Sequence, residues 1–163
     1  MKVLIHDVKS GLSDQLINKA DKVILADGKY APCQGCFKCW TKHPASCAMK
    51  DSLHEMCRVL GQADELTLIS ENWYGGYSPE VKRILDRSIG ISTPMSTYRG
   101  GLMHHTLRYG KHDHFRVIVY GNVSEKEKEC WKEMVKANCC NNGYRQYSLT
   151  FTTEEEIKEG KVL

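Results

Sequence analysis

The sequence has no hydrophobic run near the 18 or more residues that suggest a membrane span, and its mean hydropathy is −0.47. It has little excess charge. Against 23 Lys and Arg stand 20 Asp and Glu, a formal +3, too weak to suggest a nucleic-acid partner. No internal repeat or low-complexity linker breaks the chain. Nothing resembles a serine triad, a Walker loop or a catalytic carboxylate pair. The opening Met1-Lys2-Val3-Leu4-Ile5 carries no secretory apolar stretch, so a cytoplasmic location is expected. What remains is a chain of 163 residues, 41% apolar and 26% charged, long enough to bury one core without disulfides or metal.

One residue type is plentiful. The eight cysteines are about 5% of the chain, below the density of a disulfide scaffold. In a reducing compartment such thiols stay free or bind metal.

Strand and helix patterns alternate. Val3-Leu4-Ile5 reads as a first strand. Leu12, Leu16, Ile17 and Ala20 then recur at helical spacing behind a Ser13 cap. Val23 to Ala26 is a second strand, followed by an irregular stretch from Tyr30 to Lys50. Ser52 to Glu55 reads as a capping box opening a helix with apolar face Leu53, Met56, Cys57 and Leu60. Residues 65–70 form a third strand. Ser78-Pro79 opens a helix lined by Val81, Ile84, Leu85 and Ser88. Residues 91–114 show no period. Phe115 to Tyr120 is strand four. A second capping box at Ser124–Glu127 starts a helix running towards Asn142-Gly143. Gln146 to Thr152 is strand five.

Five strands separated by helices predict a three-layer α/β fold with a flavodoxin-like parallel sheet, order 2-1-3-4-5. The domain is expected over 1–153, with 154–163 a charged, frayed tail. Ligands of such sheets bind beyond the carboxyl ends of the strands, so the segments after strands one, three and four are the ones to examine.

Cys33, Cys36 and Cys39 form C-x2-C-x2-C, with Cys47 following after seven intervening residues. Four thiolates suit a 4Fe-4S cluster or a tetrahedral zinc site, and Gly35 permits a tight path between them. Metal-free structural or redox thiols are the other reading, and Phe37 and Trp40 favour a packed loop. Cys57 and Cys130 fall on apolar helix faces, while Cys139-Cys140 is assigned no chemistry. His104, His105, His112 and His114 share the aperiodic stretch and are read either as zinc or nickel ligands or as a polar loop over the pocket or at a subunit contact. Arg99, Arg108 and Lys111 there suggest attraction for a nicotinamide cofactor's phosphates.

Pro32 to Trp40, then Cys47 and Lys50-Asp51, resemble the NADPH-dependent FMN reductase and iron–sulfur flavoprotein family. So do Ala63-Asp64, Trp73 to Ser78, Val81-Lys82 and Leu85-Asp86-Arg87. The resemblance spans about Met1 to Thr152. It implies bound FMN, NAD(P)H as reductant, electron transfer to flavin or a small acceptor, and a homodimer or homotetramer. By the match, Trp73, Tyr74, Gly75, Gly76 and Tyr77 meet the isoalloxazine, where aromatics offer stacking surface and glycines let backbone N–H groups approach. Tyr120 and Gly121 would form the opposite wall, and Ser10 and Ser13 would take the FMN phosphate.

The chain departs from the pattern in three places. Asp7 and Asp14 put negative charge beside the phosphate position, the first crossover is short, and Asn72 replaces a usual proline. Two alternatives follow. One is an iron–sulfur or thiol redox protein using Cys33, Cys36, Cys39 and Cys47. The other is a flavodoxin-like domain that has lost its cofactor and acts by partner binding.

Overall fold

The computed structural model describes residues 1–162. Its strands are β1 (Lys2–His6), β2 (Lys22–Leu25), β3 (Glu65–Glu71), β4 (Ser92–Arg99), β5 (Leu102–Leu107), β6 (His112–Tyr120) and β7 (Tyr144–Thr152). Its α-helices are α1 (Asp14–Ile17), α2 (Met56–Gly61), α3 (Pro79–Arg87), α4 (Glu125–Asn142) and α5 (Glu154–Lys158). Five strands form one parallel sheet, ordered β2-β1-β3-β6-β7. Counting core strands only, this is 2-1-3-4-5, the flavodoxin-like α/β fold the alternation predicted.

The sheet is buried on both faces, as parallel sheets are. Ile5, Leu68, Val117 and Leu149 sit in one cross-strand row. On their side lie Leu53, Met56 and Leu60 near α2, Val81 and Ile84 of α3, and Trp131 and Val135 of α4. On the other side Leu4, Ile69 and Ile118 meet Leu16 of α1 and Ile157 of α5. α3 and α4 start where the sequence says. Ser78 accepts from the Val81 N–H, Pro79 follows it, and Ser124 and Glu127 close a reciprocal capping box. Gly143, at φ +79°, ends α4, and a Cβ there would lie 2.1 Å from Leu107.

Four local expectations are corrected. Ser52 and Glu55 make no capping box. The helix begins only at Met56, and Asp51 accepts from the Leu53 N–H instead, while Glu55 accepts from the Ser46 hydroxyl. The first helix is a single turn, Asp14–Ile17, and Ser13 at its N-cap makes no side-chain cap bond. Residues 91–114 are not a loop. After a short 3-10 turn at Ile89–Ile91 they hold the antiparallel β4–β5 hairpin and the start of β6. The expected frayed tail folds as α5, capped by Thr153 and Glu156, with Ile157 buried.

Candidate functional site

The carboxyl edge of the sheet brings together the segments after β1, β3 and β6. Asn72, just past β3, organises the region. Its N–H donates to Tyr120 O at 2.9 Å, and its side-chain amide donates to Asn122 O at 2.7 Å. Its Oδ1 accepts from Gly75 N at 3.1 Å and from Trp131 Nε1 at 2.8 Å. The residue that stood as a departure from the family pattern therefore ties the β3 loop to the end of β6 and to α4. Between Trp73 and Gly76 the chain makes a tight turn with two mutual backbone bonds of 2.9 Å.

Positive φ at Tyr74 (50°) and Gly75 (82°) forms that turn, and Gly75 packs against α4, where a Cβ would lie 3.2 Å from the Cys130 Cβ. Trp73 is 46% exposed and Tyr74 92% exposed, so both rings stand free at the edge. Tyr77 does not join them. It is buried edge-on against Trp131 at 4.9 Å, with its hydroxyl held by Asn138, so it belongs to the core. Tyr120 is buried too, while Gly121 (φ +92°) turns the chain away from β6.

Asp7 is turned away from the loop that follows it. Its carboxylate accepts from the Glu71 N–H at 3.0 and 3.1 Å and from the Ser70 hydroxyl at 3.4 Å. Burial raises its pKa, which favours the neutral form, while hydrogen bonds from Ser78, Glu71 and Tyr120 partly oppose the shift. The Asp7 charge is thus withdrawn into the sheet edge, whereas Asp14, the other acidic residue expected to oppose a phosphate, is exposed in the first turn of α1 beside Ser13. Ser10 donates to Glu154, so its hydroxyl is engaged with α5. The Ser13 Oγ is buried without a partner, at a helix N-cap. Gly160, just past α5, closes over that hydroxyl: a Cβ there would lie 2.9 Å from the Ser13 Oγ.

The cysteine loop forms a second place of interest. Cys33, Cys36, Cys39 and Cys47 all line one cavity of about 280 Å³, together with Met49, Arg87 and Ile89. Gly35 (φ +62°) and Phe37 (φ +52°) bend the loop around it, the second at a steric cost for a bulky residue. Trp40 packs outward instead, donating to Ile89 O at 2.9 Å and packing at a tilt against His105. Trp40 therefore braces the loop from outside, while Phe37 lines the cavity beside the cysteines. Cys33 and Cys36 are exposed, Cys47 is half-buried and Cys39 is buried, with its pKa raised by desolvation. Among the described residues, no three His, Cys, Asp or Glu side chains stand where a single metal ion could be held. A cubane cluster instead takes one thiolate on each of four separate irons, so it calls for four cysteines around one hollow rather than three side chains on one ion.

Sequence reasoning gave no role to Asp51 and Arg87. Arg87 is fully buried, and its Nη1 and Nη2 form a two-pronged pair with Asp51 at 2.8 and 2.7 Å. That pairing holds the Asp51 carboxyl down at about 2. The signal was present in the second family block, but nothing in the local spacing links positions 51 and 87.

The histidines and basic residues of 91–114 lie elsewhere. His105 packs at a tilt against Trp40, His104 contacts Asn141 and Cys140, His112 packs at a tilt against Tyr144, and His114 pairs with Ser148. They neither form one cluster nor cover the carboxyl edge, because the hairpin joins β6 at its amino end. Arg99 and Arg108 bind backbone carbonyls of Asn141 and of Gly90 and Ser92.

This edge-open, 2-1-3-6-7 architecture places the chain among flavodoxin-like α/β proteins. It is 29% identical over 86 residues to an iron–sulfur flavoprotein of Methanocaldococcus jannaschii. That match takes in 53% of this chain and 43% of the relative, so the chain spans under half of that protein's length. The fold is similar to an NAD(P)H:quinone oxidoreductase from Methanothermobacter marburgensis (14% identity, 94% of this chain and 87% of the other, TM-score 0.57). A further similar structure is an FMN-dependent NADH-azoreductase from Bacillus anthracis str. Ames Ancestor, in complex with FMN (12% identity, 96% and 88%, TM-score 0.57). No protein-family model matches the chain. The resemblance drawn from the two sequence blocks is borne out by these likenesses. Among the described residues, no helix is long and apolar enough to cross a membrane.

Proposed function

We propose that the protein is an FMN-binding oxidoreductase that takes hydride from NAD(P)H and passes electrons to a small acceptor. The observation that carries this is the Asn72-braced turn at the carboxyl edge, which holds Trp73 and Tyr74 exposed beside Gly76 and Gly121. At the other end the Ser13 hydroxyl meets a phosphate only when the chain at Gly160 moves off it. Bound FMN supplies the hydride and electron chemistry. The chain's own residues do the holding. Ser13 would take the phosphate, Trp73 and Tyr74 offer apolar surface to the ring system, and Gly76, without a side chain, lets the ring come close although its own N–H is bonded to Trp73. Ser10 would join the phosphate contact only by giving up Glu154. The iron–sulfur flavoprotein relative and the FMN-bound neighbour point the same way.

Titrating the protein with FMN tests this reading by flavin fluorescence and visible absorption, followed by NADH and NADPH oxidation. Quenching at micromolar protein with a perturbed flavin spectrum is expected. No quenching up to millimolar protein would sink the flavin reading and favour a domain that has lost its cofactor.

A second cofactor is favoured by one specific observation, the four cysteines lining a single cavity. Cys33, Cys36, Cys39 and Cys47 would hold a 4Fe-4S cluster there and would relay electrons to or from the flavin. Anaerobic reconstitution with iron and sulfide, read as iron per chain, tests it.

A further inference from the structure

Arg87 is an unusual residue to find inside this fold. Its side chain is 0% exposed, at the last position of α3. Its guanidinium has five N–H donors in a rigid fork. Three are accounted for: Nη1 donates to Asp51 at 2.8 Å and to Ala31 O at 2.8 Å, and Nη2 donates to Asp51 at 2.7 Å. The Nε–H is buried with no partner, and the Cys47 thiol interacts with the guanidinium. A buried donor without an acceptor is costly, and native structures rarely leave one unless something else satisfies it. Arg87 is also one of the side chains lining the cysteine cavity. Asp51 grips the far side of the fork and fixes the plane of the guanidinium, so the free N–H is held in place rather than left to rotate.

We propose that Arg87 donates its Nε–H to a sulfur of the cluster that Cys33, Cys36, Cys39 and Cys47 ligate, and so helps set the cluster's reduction potential. This rests on the cluster reading above. A thiolate-ligated cluster is anionic, and its potential depends on net charge, hydrogen bonds to sulfur and solvent exposure. One guanidinium supplies two of these at once, a positive charge and a directed donor. Reduction adds negative charge to the cluster, so both effects favour the reduced form and raise the potential. Asp51 has a separate task. It neutralises much of the buried cation when the cavity is empty and orients the fork when it is full.

The test uses the full chain, reconstituted anaerobically with ferrous iron and sulfide. Iron content and the midpoint potential are measured for wild type, Arg87→Lys and the double variant Arg87→Gln/Asp51→Asn. The double variant leaves neither partner as an unpaired buried charge, so it stands in should Arg87→Lys fail to fold. Wild type should take up about four irons per chain, as a cubane requires. A lysine drawn to Asp51 cannot also present a directed donor to sulfur. Both variants should therefore keep their iron and show a potential shifted to more negative values, further in the double variant. Variants with full iron and an unchanged potential would overturn the role of Arg87 while leaving the cluster reading intact. Loss of iron from both folded variants would also overturn it, because Arg87 would then be shaping the loop instead of addressing sulfur. Wild-type protein that takes up no iron would overturn the cluster reading and this inference together, and iron content separates that result from the others.

Discussion

Replacing Asn72 by alanine should destabilise the protein by about 3 kcal/mol and loosen the proposed flavin loop. The magnitude follows from the bonds removed. Three side-chain hydrogen bonds are lost, to Trp131, Gly75 and Asn122. Each is worth about 1 kcal/mol net, and a buried donor left unsatisfied costs ~1–3 kcal/mol. Trp131 is 0% exposed, so its indole N–H finds no water when Asn72 is truncated. The two contributions overlap, which keeps the total near 3 kcal/mol. Asn72→Asp separates them. It keeps an acceptor for Trp131 and Gly75 and loses only the donor to Asn122, for a cost of about 1 kcal/mol. Urea unfolding of the three proteins, followed by Trp fluorescence, gives the stability order. FMN titration of the same proteins gives the functional half, in which Asn72→Ala should bind more weakly than Asn72→Asp. If Asn72→Ala stays within about 0.5 kcal/mol of wild type, the range of an ordinary surface change, the bracing argument is wrong.

Other expectations follow from the same contacts. Asp7→Asn should flatten the pH dependence of stability just above pH 3.8. A carboxyl raised above its ordinary 3.8 stabilises the fold while protonated, and that stability is lost as pH rises through the folded value. Urea midpoints at about pH 4 and about pH 7 compare the two proteins. Asp51 has the opposite sign. Its carboxyl is held at about 2, so its contribution is complete above 3.8 and disappears as pH falls through that depressed value. Asp51→Asn alone should cost about 3 kcal/mol at neutral pH, because it strands Arg87 as a buried charge; calorimetry reads this directly. Ile157→Ala should cost ~3 kcal/mol in urea unfolding, which a frayed tail would not. Tyr74→Ala should leave stability within about 0.5 kcal/mol while weakening FMN binding, since a ring 92% exposed contributes little to the core.

The parts of the fold with a strong period were legible. β1, β3 and the later half of β6 are apolar runs buried on both faces, and α3 and α4 carry their own start signals. The β4–β5 hairpin gave no such signal, because a two-stranded ribbon has no buried face. Met95, Tyr98, Leu102 and Met103 on it are all more than half exposed, so no alternation marks it. α5 was misjudged because its glutamates dominate the segment and a single buried Ile157 carries its packing. The site divided similarly. Trp73 to Gly76 and the four cysteines declared themselves by residue type and spacing. Tyr77 looked equivalent to Tyr74, yet the turn at Tyr74–Gly75 reverses the chain and sends Tyr77 inward against Trp131.

If both proposed groups are bound, α3 is what keeps them apart in one small domain. α3 begins at Ser78, just past the aromatic turn, and ends at Arg87, which lines the cysteine cavity. Nine residues at 1.5 Å each separate the two places by about 13 Å along the helix. Tyr30, donating to Glu80 O near the start of α3, and Trp40, donating to Ile89 O just past its end, fasten the cysteine loop along the same helix. The loop is therefore docked along α3, and its position relative to the flavin turn is set by an element with a buried face. A change that shortens α3 should disturb both places at once, whereas changes in the β4–β5 hairpin should leave the flavin turn untouched.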